Sequence, residues 1–487
     1  MKNKIQSEIL ILFVLVFSLT LFYIATSSVF LNFNNDLILL TNLNPLSVAS
    51  TLLFISITFL GLISDRNYLF FLPFMLLAMP SPVDDIFPSI CLTSANDARE
   101  IFFPLFTHID IYILIGILRK AIVSRPKNIN SNLFTLIVLV LVMLVLIVNL
   151  FLSSDIWDFY LLLSHTYHFR YLVLLLILSY YYSYKNFENQ IFFGIIFSVV
   201  FLLFESAVNT YVEGLGRLTS GTLSVNSYAN IISAILLYFL WLRKYKKISK
   251  RTIFFLALLS LIIIIGTQTR MALLSPILVL LVYSIYNLRN NFLIRLFKFL
   301  ASFIIIIFLY GLLVQTNFIQ KRYSIEQIIG VNSGNAKLEL KENSESSSLL
   351  TRFMLFKTSL EMIKEKPITG IGVGRFNRYK KDFGFKYNVL IDSHNDLLAL
   401  LCQYGIFIGS LLFFMMFILP LYYYLYYLKG KTNNKLIFLF IINFTMLFSG
   451  LSNAGLMKHQ IFAFLALNLI ILESLVSSLK IENTPNK

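Results

Sequence analysis

Residues 386–410, KYNVLIDSHNDLLALLCQYGIFIGS, set four polar groups directly ahead of some thirty mostly apolar residues. These are Asp392, His394, Asn395 and Asp396, and His394 is one of only five histidines in the 487-residue chain. An imidazole titrates near neutrality, so His394 is suited to take a proton from a hydroxyl, with Asp392 or Asp396 orienting its ring. The bland alternative is a helix N-terminus capped by Asp392 or Ser393, with the histidine a bystander at an interface. His394 lies two residues from both Asp392 and Asp396, so on a helix it would share a face with neither. His394 is therefore expected at the break where loop becomes helix. A helix start also offers free backbone N–H groups and a partial positive charge to an anion.

The cations form a second set. Arg270 stands in GTQTRMALLSPILVLLV, at a turn between two apolar segments. An ionisable residue there is costly unless it is paired or snorkels to headgroups. Arg217 in GLGRLTSG and Arg352 in LLTRFMLF carry guanidinium forks, which suit bidentate phosphate contact. Arg352 reads equally well as a solvated helix residue. Arg170, in SHTYHFRYLV beside His165 and His168, is either a further phosphate contact or half of an internal ion pair with Glu205. GIGVGRF (370–376), with Gly372 and Gly374, has no strand–helix unit around it, which argues against a dinucleotide site. It is a tight turn needing unusual dihedrals, or a loop whose amides approach a phosphate. Cys91 and Cys402 fit neither a disulfide framework nor a metal site; no metal ligand set and no cofactor motif is read.

What must position these groups is a set of membrane helices. The chain is 58% hydrophobic and only 13% charged, where a soluble domain carries roughly 25% charged residues. Apolar runs of about 20 residues recur, each long enough to cross a hydrocarbon core about 30 Å thick, and lipid leaves helices as the form such spans must take. The spans read at about 8–30, 47–64, 67–80, 101–119, 132–153, 161–182, 190–210, 224–242, 252–269, 270–287, 295–314, 397–426, 434–450 and 457–479. The expected fold is thus all-α and polytopic, with about 12–14 transmembrane helices. Lys2 and Lys4 ahead of the first run read as a signal-anchor.

Basic residues set the orientation. RKAIVSRPK (119–127), RKYKKISKR (243–251), NLRNNFLIRLFK (287–298) and KGKTNNK (429–435) are placed inside. The connections 31–46, 81–100 and 154–160 hold a single basic residue, Arg99, and are placed outside. Both termini are then cytoplasmic. The net charge of +16 largely reflects anchors beside anionic headgroups, and no nucleic-acid module is present. The domain reading is 1–314 for the first eleven spans, 315–396 for one large outer loop, and 397–487 for the last spans.

That loop carries thirteen Lys or Arg, allowed outside because long translocated segments escape the positive-inside rule. They face any anionic headgroup or pyrophosphate there. Within it, LLTRFMLFKTSLEMIKE (349–365) has helical apolar spacing, with Thr351 as a possible cap and Pro367 as its stop.

A helix with an early arginine, then EKPITGIGVGRF, then SHNDLLALLCQYGIFIGSLLF resembles the outer loop and following span of the O-antigen ligase and Wzy-type polymerase superfamily. GRLTSGTLSVNSYANIISAILL (216–237) and GTQTRMALLSPILVLLV (266–282) resemble its upstream motifs, so the likeness runs in order from about 210 to 425. The chain departs at Val225–Asn226, where the family often has Pro-Asn, at Thr269–Arg270 for Ser-Arg, and at Gln403 for Glu. The resemblance implies a metal-independent, inverting glycosyl transfer at the periplasmic face of a bacterial inner membrane. The donor is an undecaprenyl-pyrophosphate-linked oligosaccharide. His394 matches the family's essential histidine, and Arg270, Arg352 and Arg217 are the matching cations. A repeat-unit polymerase of O-antigen or capsule is the first expectation, with a chain-length regulator as its protein partner; a ligase onto lipid A core is second. A polysaccharide transporter or flippase is the rival class, disfavoured because no inverted repeat is found.

Overall fold

The computed structural model describes residues 45–79, 89–91, 102–104, 107–123, 159–182, 184–213, 225–244, 249–267, 272, 349–373, 375–385, 393–427, 434–450 and 459–483, with a few positions in 137–144. The expectations for the span 8–30, for Arg217, Arg270, Asp392 and Gly374, and for most of 268–348 lie outside these residues.

Apolar runs fold as helices largely where their flanks permit. Helix α1 (Pro45–Ile63) ends at Ser64, whose hydroxyl accepts from the Asn67 amide at 3.1 Å and caps α2 (Asp65–Leu77). A short antiparallel ribbon, β1 (Ser89–Cys91) with β2 (Phe102–Pro104), pairs Ile90 with Phe103. The fold is helical, as expected, with this ribbon the one strand pair among the described residues. One expectation is corrected: the helix expected from 101 starts seven residues later, as α3 (His108–Val123). Pro104 disfavours helix for the residue before it. Thr107 then forms a capping box: its amide donates to Asp110 Oδ2 at 2.8 Å, and its hydroxyl accepts from the Asp110 amide at 3.4 Å.

Beyond these come α4 (Phe159–Tyr181), α5 (Tyr184–Glu213), α6 (Val225–Lys244) and α7 (Lys250–Gly266). The polar helix α8 (Leu349–Glu365) and the single turn α9 (Phe376–Tyr379) follow. The remainder is α10 (Asp396–Phe413), a π turn (Phe414–Ile418), α11 (Leu419–Tyr427), α12 (Asn434–Gly450) and α13 (His459–Asn483). Among the described residues one helix is long and apolar enough to cross a membrane. It runs from Asp396 to Tyr423, 28 residues, but it breaks at Gly405 and folds back so far that a Cβ on Gly409 would touch the Leu400 carbonyl. The part after the break, 406–427, covers about 33 Å at 1.5 Å per residue, against a hydrocarbon core of about 30 Å. Six shorter apolar stretches lie in α1, α4, α5, α6, α12 and α13.

The chain divides into two packing units. In the first (1–91, 102–131 and 171–224), α2 packs on α5, α1 and α3. Asp65 pairs with Arg119 at 3.2 Å and with Lys120, which ties the α1–α2 junction to the last turns of α3. In the second (92–101, 132–170 and 225–487), α6 lies between α7 and α12, α8 packs on α10, and α11 meets α12 and α13.

Candidate functional site

The polar run that opens the apolar span folds into a tight helix start. Asn395 is the N-cap, with φ −151° and ψ 123°, and its side chain accepts from the Leu398 amide at 3.0 Å. The cap is therefore Asn395, not Asp392 or Ser393. Asn at this position satisfies one of the donors that every helix start leaves over. Ser393 is buried and its hydroxyl donates to the Asn395 carbonyl at 3.1 Å. Between them His394 is held at φ +51°, and among the described residues it is the only non-glycine with a positive φ. For an L-residue with a Cβ that conformation costs about 1–2 kcal/mol. Strain kept at such a residue points to a use for its side chain.

Asp396 follows in the first helical turn and is buried. A carboxylate suits the positive end of a helix. It also abuts Gly450, the last residue of α12, so closely that a Cβ there would collide with Asp396 Oδ2. Beside Gly450, Ser449 accepts from the Asn230 side-chain amide of α6. One turn along α6, the Ser233 hydroxyl donates to the Ala272 carbonyl at 2.6 Å. Helix α6 thus offers one polar edge both to the end of α12 that covers Asp396 and to the backbone two residues past Arg270. Neither Asn230 nor Ser449 was a sequence candidate; a lone amide inside an apolar helix was the available signal.

Helix α8 brings Arg352. Its boundaries match the apolar spacing over 349–365, although Thr351 lies inside the helix and does not cap it. Leu355, Met362 and Ile363 pack with Leu398 and Cys402 of α10, and with Ile371, Phe376 and Phe385 of the segment between. Cys402 Sγ lies 3.3 Å from Met362 Sδ, and the Ile406 amide donates to the Pro367 carbonyl at 2.7 Å. Two contacts advancing together in sequence make the helices parallel. Arg352 lies ten residues before Met362, and His394 eight before Cys402, or about 15 and 12 Å back at helical rise. The two side chains therefore belong to the same end of the pair, and both are half-buried.

The glycine-rich segment has a backbone task. Helix α10 breaks at Gly405, with φ 80° and ψ 170°. In an unbroken helix the Cys402 and Gln403 carbonyls would accept from Ile406 and Phe407. Here they accept from the Ile371 and Gly372 amides, at 2.9 and 3.1 Å. Gly370 (φ 64°) and Gly405 each come so close to the opposing backbone that a Cβ would clash. The Gly372 amide is thus directed to Gln403, not outward to a phosphate.

Arg170 is half-buried on α4 and within electrostatic reach of the Tyr404 hydroxyl, which also bonds His168 Nδ1. The His168 ring stacks obliquely on Phe462, centroids 4.7 Å apart. Tyr404 is eight residues into α10, about 12 Å from its start, so Arg170 belongs beside the helix break and not at the His394 end.

The family described as O-antigen ligase matches residues 255–414. That stretch contains Arg270, Arg352, Gly372, Gly374, Asp392, His394, Asn395 and Asp396 and leaves out Arg170 and Arg217. No curated protein matches the chain. The match supports the superfamily resemblance drawn from the motifs. It indicates a function of the O-antigen ligase or polymerase type, that of a glycosyl-transferring enzyme for lipid-linked oligosaccharides, in a family of integral inner-membrane proteins.

Proposed function

We propose that this chain, which carries an O-antigen ligase domain over residues 255–414, polymerises the lipid-linked repeat units of a surface polysaccharide. The donor is a glycan on undecaprenyl pyrophosphate, and the acceptor is a sugar hydroxyl at the periplasmic face of the inner membrane. The observation that supports it best is the parallel packing of α8 on α10, which sets Arg352 and His394 at one end of a helix pair.

The chemistry follows from those groups. The acceptor oxygen attacks the anomeric carbon as its proton passes to a ring nitrogen of His394. The bond from that carbon to the phosphate oxygen breaks, its electron pair leaves with undecaprenyl pyrophosphate, and the anomeric configuration inverts. Negative charge grows on the departing pyrophosphate. Arg352 answers it with a planar fork, and Arg270 and Arg217 are assigned the same task; the start of α10 adds its partial positive charge. His394 then loses its proton to solvent. Asn395 and Asp396 act by fixing the turn that presents the imidazole.

A ligase onto lipid A core is the second reading, favoured by the description of the matching family. A strain lacking the gene separates the two. The polymerase reading expects lipid A core capped with a single repeat unit. Uncapped core with long lipid-linked polymer accumulating would replace it with the ligase reading. Purified protein in lipid that moves no glycan from the undecaprenyl-pyrophosphate donor would remove both.

A further inference from the structure

Helix α8 hides one face in the protein and leaves an apolar stripe on another. Leu355, Thr358, Ser359, Met362 and Ile363 are buried, most of them toward α10. Phe353, Phe356 and Leu360 are 63%, 45% and 37% exposed. At about 100° per residue these three fall within roughly 60° of arc, so they form one continuous strip. Lys357 and Lys364 are exposed and border the strip on one side. From 349 to 366 the segment holds four cations (Arg352, Lys357, Lys364, Lys366) and two anions (Glu361, Glu365), a net charge of +2.

A helix freely bathed in water gains nothing from displaying two phenylalanines. Its surroundings say what covers them. Ile368, just past the end of α8, is 44% exposed and meets the break in α10, where Ile406 and Phe407 are 42% and 61% exposed. From Phe407 the apolar surface continues along the spanning helix through Phe414, Ile418 and Tyr422, all exposed. The strip on α8 is thus continuous with the exposed apolar side of the span.

We infer that α8 lies in the outer surface of the bilayer as an interfacial anchor. Phe353, Phe356, Leu360 and Ile368 enter the acyl boundary, and Lys357 and Lys364 reach back to the headgroups. The occupant of the strip is the membrane itself. The consequence for the site is positional, since α8 carries Arg352, and a helix fixed at the interface holds that cation at headgroup depth. The inference needs the part of α10 after the break at Gly405 to span the bilayer, with α8 following the sharply angled part before it, but does not need the transfer reaction. A catalytically silent protein with a lipid-buried α8 would defeat the functional reading and leave this one standing.

Spin labels on the full chain in nanodiscs test it. With Cys91 and Cys402 replaced by alanine, single cysteines go in at 353, 356, 357, 360 and 364. Labels at 353, 356 and 360 are expected about 5–10 Å below the headgroup boundary, protected from an aqueous relaxant and open to oxygen. Labels at 357 and 364 are expected in water. Five equally aqueous labels would overturn the inference. Labels at 353 and 356 shielded from both relaxants, with dipolar broadening between copies, would overturn it in favour of a second copy of the chain. The pair Phe353→Asp and Phe356→Asp provides a second measurement, in which the label at 360 rises into water while the protein still purifies as a folded species.

Discussion

The tyrosine stack of the first unit and the start of α10 in the second both place polar groups among apolar helices, and they handle them in opposite ways. Tyr68 of α2 and Tyr112 of α3 stack with ring centroids 4.6 Å apart and planes 7° from parallel. Each hydroxyl donates to the other residue's backbone carbonyl at 2.9 Å. Tyr182 extends the stack at 5.6 Å, and Lys120 sits 5.2 Å over its ring. The helices are shaped around these rings, since a Cβ at Gly61 would come within 2.6 Å of the Tyr112 hydroxyl. The Tyr68 and Tyr112 hydroxyls each have a partner close by, and neither residue has a positive φ. At the start of α10 the backbone is forced. His394 takes a left-handed conformation, its neighbours Ser393 and Asn395 use their side chains to hold the turn, and Asp396 is wedged against a glycine. Structure that serves stability relieves strain; structure that serves chemistry accepts it.

The largest expected effect breaks the comparison at its functional end. His394→Ala should lower glycan transfer about 10²–10⁴-fold, the usual loss on removing a general base, while the thermal midpoint in nanodiscs stays near wild type. Binding of the lipid-linked donor should change little, because the imidazole meets the acceptor hydroxyl. Weak donor binding with normal turnover at saturation would make His394 a donor-binding group instead, and the base would be sought at Asp392, Asp396 or Glu361.

The next effect concerns the wedge. Gly450→Ala forces a Cβ into the Asp396 carboxylate, and overpacking of this kind costs about 1–3 kcal/mol. Asp396→Ala removes the obstacle, so the double variant should be more stable than the sum of the two single losses. Additive losses would show that the two residues do not press on each other. Within the tyrosine stack, Tyr68→Phe should cost about 1 kcal/mol, the usual worth of a hydrogen bond, read as a lower thermal midpoint. Transfer activity should not change. A fall in activity on Tyr68→Phe would mean the first unit does more than pack.

These features differ in how far the sequence shows them. The boundaries of α8 at 349–365 and of α12 at 434–450 follow from local pattern, apolar spacing ended by Pro367 in one case and flanked by the polar run KTNNK in the other. The position of His394 between loop and helix is likewise legible, because a cluster of Ser, Asn and Asp ahead of an apolar run is a start signal. The break at Gly405 is not. It exists because Ile371 and Gly372, about thirty residues upstream, supply amides to carbonyls that the helix gives up, and periodicity within α10 carries no trace of that partner. The start of α3 was misplaced for the same reason, since Phe102 and Phe103 read as helix until their pairing with Ile90 and Cys91 is known. Asn395 as cap could have been found, because Asn ranks with Asp and Ser at that position; spacing alone did not choose among three neighbouring candidates.

The smallest effect is the most diagnostic, because it should run against intuition. If His394 is kept at φ +51° for its imidazole, a residue that tolerates the left-handed region should stabilise the protein while disabling it. Asparagine is that residue, since its short polar side chain is at ease there. Glycine would relieve the same strain but give part of the gain back through a more mobile unfolded chain. His394→Asn should therefore raise stability by up to about 1 kcal/mol, a small upward shift in thermal midpoint, with transfer lost as completely as in His394→Ala. His394→Gly should fall between Asn and wild type in stability. A His394→Asn protein less stable than wild type would mean that the imidazole contributes to packing at the start of α10. The turn would then be a structural feature like the tyrosine stack, and the contrast between the two regions would fail at the residue on which it depends.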